Sequence, residues 1–110
     1  MKALLDENLP VKLKHGFSTI LNVFTVYDMK WNSLKNGELL KAINDNGFDA
    51  LITSDKNLVH QHNLSKYNFR FFIVRAKDNQ YQNRLPLVPL IEKQLLTPGE
   101  KIVSIKQPTV

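Results

Sequence analysis

Three carboxylates in this chain have positions from which they could meet: Asp6, Glu38 and Asp55. Asp6 directly follows the apolar run Lys2–Leu5, and Asp55 lies two residues beyond a second run, Phe48–Thr53. Glu38 falls in the first turns of a helix-period stretch between them. Gathering like charges is unfavourable unless protons or a cation neutralise them. Carboxylates completed by water are the ligands that Mg²⁺ and Mn²⁺ prefer. Such an ion lowers the pKa of a bound water and neutralises charge on a phosphodiester transition state. The chemistry this set would serve is metal-assisted hydrolysis of a phosphate ester.

Each residue also has a purely structural reading. Asp55 would serve as the N-cap of a short helical stretch, Lys56–His62. Glu38 would complement the dipole of its own helix. Asp6 has no such local duty, because Asn8 is the capping candidate nearby. Other groups point to no chemistry. His60 and His62 are two residues apart, which on a helix sets them on nearly opposite faces. Neither a G-x-S-x-G elbow, nor G-x-G-x-x-G, nor a Walker sequence occurs. Trp31 would plug the sheet edge or stack on a base; Phe69, Phe71 and Phe72 read as core.

The elements that must position the carboxylates follow from the apolar pattern. Lys2–Leu5 reads as a buried strand. Asn8-Leu9-Pro10 offers an N-cap and an early-helix proline for a short helix to Gly16. Val23–Tyr27 is β-branched and aromatic enough for a second strand, and Asp28–Leu34 is a polar loop. A helix capped by Asn36 or Ser33 runs through Ile43 and stops at Asn46-Gly47. Phe48–Thr53 is a third strand and Tyr67–Arg75 a fourth. Beyond the loop Lys77–Arg84, a helix with Pro86 and Pro89 in its early turns runs to Leu96, and Lys101–Ile105 is the last strand. Near-continuous apolar strands alternating with helices predict a three-layer α/β/α sandwich with a four- or five-stranded, mostly parallel sheet. Right-handed crossovers are expected in each unit. Asp6, Asp55 and the start of the Glu38 helix then share the carboxyl edge, where open sheets of this kind bind ligands.

At 110 residues the chain fits one domain, 1–110. It has no cysteine, which excludes disulfides, thiolate metal sites and cysteine nucleophiles. It lacks the uncharged apolar stretch of about 18 residues that a membrane helix needs, and the expectation is a soluble, cytoplasmic protein. Fifteen Lys and Arg against ten Asp and Glu give a net charge of +5. That balance favours a polyanionic partner, nucleic acid first, although it also serves simple solubility.

LLDENLP, NGELL and GFDALITSDKNL, taken in order, resemble the PIN-like domain superfamily, in particular a branch of short bacterial PIN-like proteins. The resemblance runs from Lys2 to about Leu96. It implies a metal-dependent ribonuclease with Asp6, Glu38 and Asp55 as metal-holding and catalytic residues and Mg²⁺ or Mn²⁺ as cofactor. Asn8, Lys56 and Asn57 would support the site, and RNA would be the substrate. It further implies a toxin of a toxin–antitoxin pair, with a protein antitoxin as partner, and leaves a homo-oligomer open. Two departures matter. Glu7 stands where the family has a small hydroxyl-bearing residue, and Asn57 stands at its fourth acidic position. The alternative is therefore a PIN-like module that binds nucleic acid or a partner protein without cutting.

Overall fold

The computed structural model describes residues 1–75 and 85–106. Its strands are β1 (Lys2–Leu5), β2 (Asn22–Thr25), β3 (Ala50–Thr53), β4 (Arg70–Arg75) and β5 (Ile102–Lys106), and its helices are α1 (Asn36–Asp45), α2 (Leu58–Gln61) and α3 (Val88–Leu96). A 3₁₀ segment, Val11–Gly16, links β1 to β2. The strands form one sheet in the order β2-β1-β3-β4-β5, every pair parallel. The expected loop Lys77–Arg84 lies outside the described residues.

The three central strands are apolar on both faces because both faces are covered. Ala3, Leu5, Ala50, Ile52, Phe72 and Val74 point to a layer made by the 3₁₀ segment and α3. Leu4, Leu51 and Phe71 point to the opposite layer, where α1 supplies Leu39, Leu40 and Ile43 and α2 supplies Leu58. Fully burying an aliphatic or aromatic side chain stabilises by about 1.5–3 kcal/mol, so these two cores carry the fold. No helix among the described residues is long and apolar enough to cross a membrane.

Several element ends differ from expectation, for local reasons. β2 stops at Thr25 because Thr25 and Asp28 close a turn on each other. The Thr25 amide donates to Asp28 Oδ2 (2.9 Å) and the Asp28 amide to Thr25 Oγ1 (3.0 Å). β3 begins at Ala50, since Phe48 turns into the core and the Asp49 carboxylate accepts from the Lys2 amide (2.8 Å). β4 begins at Arg70, after Tyr67 and Phe69 have bent into the core. Lys35, rather than Asn36 or Ser33, occupies the N-cap of α1, and its amide donates to Glu38 Oε1 (3.2 Å). At the other end Gly47 takes φ 72°, the left-handed stop expected there. Asn8 caps nothing: Pro10 stands at the start of the 3₁₀ segment with no side-chain cap.

The β1→β2 step goes one way across the sheet, and the next three steps go the other. Helix α3 shares a face with the 3₁₀ segment rather than with α1 and α2. The cause is burial. Six residues of 3₁₀ helix cannot cover Ile52, Phe72, Val74 and Ile105, and α3 does so with Val88, Ile91 and Leu95.

Candidate functional site

In a doubly wound sheet of this order the chain leaves β1 and β3 in opposite directions, opening a crevice at their carboxyl ends. Asp6 follows β1 and Asp55 follows β3, so both emerge there. The Asp6 amide extends the ladder by donating to Ile52 O (2.9 Å), which fixes its carboxylate at the mouth of the crevice.

Thr53, the last residue of β3, joins the two segments. It is fully buried. Its hydroxyl donates to Asp6 Oδ2 at 2.8 Å, and it accepts from Asn8 Nδ2 (3.1 Å) and from the Asp55 amide (3.1 Å). A hydroxyl has one proton and two lone pairs, so this one is saturated. The carboxamide of Asn8 completes the clamp, because its Oδ1 accepts from the Ser54 amide (3.2 Å). The loops after β1 and β3 are thereby tied both side chain to side chain and side chain to backbone.

The carboxylates themselves are held by their own loops. Asp6 Oδ1 accepts from the Glu7 amide (2.8 Å), and Asp55 Oδ1 accepts from the Asn57 amide (3.0 Å). The expectation that Asp6 has no local duty is corrected: it terminates the β1 loop and receives the Thr53 proton. Asp55 holds a turn before α2, whose N-cap position belongs to Asn57. Burial pushes the Asp6 carboxyl above its ordinary value of 3.8, and the nearby Asp55 charge pushes the same way. The hydrogen bonds from Thr53 and Glu7 oppose both.

Glu38 is exposed in the first turn of α1, with one carboxylate oxygen on the Lys35 amide. It does not join the other two: among the described residues no three His, Asp or Glu side chains are grouped so as to hold an ion. Lys56 and Asn57 are exposed beside Asp55. Among the described residues the one ion pair is Lys14–Asp28 (2.8 Å), so neither Asp6 nor Asp55 is neutralised by a described cation. Two neighbouring carboxylates are hard-oxygen donors. They suit Mg²⁺ or Mn²⁺, which commonly take one or two carboxylates and complete the shell with water and substrate phosphate.

Thr53 is the member that sequence reasoning passed over as a site residue. Its signal was available: a polar β-branched residue closing an otherwise apolar strand, two positions before a carboxylate. Trp31, by contrast, packs edge-on against Phe48 with ring centroids 5.8 Å apart, so it plugs the core.

Comparison with protein-family models, with curated proteins and with solved structures finds no match.

Proposed function

We propose that this protein is a divalent-metal-dependent ribonuclease acting in the cytoplasm, with Asp6 and Asp55 as the residues that hold the ion. The observation that carries the reading is the like-charged pair itself. Asp6 and Asp55 are brought together at the switch point of the sheet and fixed by Thr53 and Asn8, with no described cation to neutralise them. Glu38, exposed at the start of α1 on the Lys35 amide, stands outside this pair. When bound, Mg²⁺ or Mn²⁺ would supply an activated water and neutralise charge on the scissile phosphate.

The chain's own residues do the rest. Thr53 keeps the Asp6 carboxylate oriented, and the Glu7 and Asn57 amides hold one oxygen of each acid. Lys56, exposed beside Asp55, guides the RNA backbone as a point charge. The resemblance of LLDENLP, NGELL and GFDALITSDKNL to PIN-like nucleases supports the same assignment and extends it to a toxin held in check by a protein antitoxin.

A second reading is favoured by two observations. Asn57 carries no charge at the fourth acidic position, and Glu38 is engaged with the Lys35 amide. On that reading the chain is a PIN-like module that binds nucleic acid or a partner without cleaving. Incubating the protein with mixed RNA and Mn²⁺, beside an Asp6→Asn, Asp55→Asn double variant, separates the two. The nuclease reading expects cleavage by the wild type alone, with loss of calorimetric Mn²⁺ binding in the variant. Equal cleavage by both proteins would sink the carboxylate mechanism, and RNA binding without cleavage would select the second reading.

A further inference from the structure

A second feature opens at the carboxyl edge on the far side of β1 from Asp55. The segments that leave β1 and β2 line an open cavity of about 400 Å³ between the 3₁₀ segment and the end of β2. Its walls are Val11, Lys12, Lys14 and His15 on one side and Tyr27 and Asp28 on the other, with buried Thr25 behind them. β2 runs beside β1 in register, Leu5 opposite Thr25, and the Val26 amide donates to Leu5 O (3.2 Å). The cavity thus starts one strand spacing, about 4.8 Å, from the strand that delivers Asp6.

The lining is unusual for a surface depression. Tyr27 is 52% exposed and Val11 46% exposed, a ring and an aliphatic side chain left open to water. Three basic residues follow within five positions, and one acceptor, Asp28, is fixed in place. Its Oδ2 accepts from Lys14 Nζ (2.8 Å) and from the Thr25 amide (2.9 Å). Pairing with Lys14 occupies one cation; Lys12 and His15 form no ion pair with a described residue. A ligand matching these walls carries a planar ring for Tyr27 and Val11, a donor for Asp28 and a negative group for Lys12 and His15. The volume lies in the lower part of the range of small-ligand sites, about 300–1,000 Å³, which accommodates one monomer unit and excludes a duplex.

We propose that this cavity is a nucleotide subsite, taking one nucleotide of a single-stranded RNA whose neighbouring phosphate lies at the Asp6–Asp55 pair. The proposal deepens the nuclease reading and rests on it only for naming RNA as the source of the nucleotide. The base stacks on Tyr27, a contact tolerant of sequence. Asp28 accepts from an exocyclic amine or a ribose hydroxyl, and the phosphate meets Lys12 and His15.

The test is an amide-resolved NMR titration of the whole chain with AMP, adenosine and inorganic phosphate, in EDTA so that no metal contributes. AMP is expected to give saturable shifts on residues 11–15 and 25–28, and to bind more tightly than adenosine or phosphate. Tyr27→Ala and Lys12→Ala, both changes at exposed positions, should each weaken AMP about tenfold while the remaining amide spectrum is kept. Asp6→Asn should retain AMP binding. Saturable AMP shifts in a protein that cuts no RNA would leave the subsite standing and remove only the nuclease reading. Absence of saturable shifts at the cavity, or phosphate binding as tightly as AMP, would overturn the subsite.

Discussion

The two edges of the sheet use their polar side chains in opposite ways. At the amino edge, cations end on backbone carbonyls of other elements. Lys2 Nζ donates to Asn46 O (2.9 Å) at the end of α1 and lies 4.3 Å from the Phe48 ring centroid. Arg70 donates to Gln94 O (3.2 Å), Thr97 O (3.0 Å) and Glu100 O (2.8 Å), and stacks over Phe72. The contacts to Asn46 O and Thr97 O satisfy carbonyls at the ends of α1 and α3, and those to Gln94 O and Glu100 O tie the start of β4 to the segment that leads into β5. At the carboxyl edge, Asp6 and Asp55 are gathered with no described counter-charge, and the groups around them, Thr53 and Asn8, are spent on orienting them. The contrast teaches where stability has been set aside: like charges held together by a buried hydroxyl are a cost to folding that binding a cation would recover.

The largest effect expected on this contrast is functional. Asp55→Asn should lower RNA cleavage about a hundredfold or more, since loss of even an outer partner of a metal commonly costs 10–100-fold. Its thermal midpoint, read by circular dichroism, should equal or exceed that of the wild type, because one of two like charges is removed. A fall in both would make the carboxyl edge as structural as the amino edge.

Next comes Thr53→Val. It leaves Asp6 Oδ2, Asn8 Nδ2 and the Asp55 amide without their shared partner. A destabilisation of about 2 kcal/mol is expected from urea unfolding, with Mn²⁺ affinity reduced. Unchanged Mn²⁺ affinity would strip Thr53 of its positioning role.

Arg70→Met, which keeps the aliphatic stem, should cost about 1–2 kcal/mol in stability and leave cleavage intact below the unfolding transition. Lost activity in folded protein would blur the division between the edges.

The smallest effect is in pH dependence. The native Asp6 carboxyl lies above its unfolded value of 3.8, so the native state holds that proton more tightly. Its contribution is therefore fully present below 3.8 and is lost as pH rises through the native value. Asp28 behaves in reverse. The hydrogen bond from Lys14, then that from the Thr25 amide, hold it below 3.8. Its contribution is present above 3.8 and is lost as pH falls through the lower native value. Stability curves of Asp6→Asn and Asp28→Asn against wild type should therefore diverge on opposite sides of 3.8. Parallel curves for both variants would remove the electrostatic distinction.

Much of this was readable from residue order. Lys2–Leu5 is β1 to the residue, as a near-continuous apolar run suits a strand buried on both faces of a parallel sheet. Asn46-Gly47 stops α1 as expected, since only glycine takes φ 72° there without strain. The alternation of elements specified three layers, and the sheet is parallel throughout. Legibility failed where a side chain reaches across the sequence. Asn8 resembles a cap in its local context, yet its partners are 45 and 46 residues away. The end of β2 was set by a reciprocal Thr25–Asp28 turn that apolar periodicity does not register.

By itself, then, the sequence determined the class of fold, the order of its strands and main helices along the chain and the placement of Asp6 and Asp55 after β1 and β3. These depend on apolar period and on residues adjacent in the chain. Tertiary structure alone decided the strand order that makes those two ends neighbours, the face on which α3 packs, and the meeting of Asp6 with Thr53. It also decided that Glu38 stands apart from the pair. The physical reason is common to all of them: each is a competition between contacts distant in sequence for the same buried space, and local pattern carries no record of which contact wins.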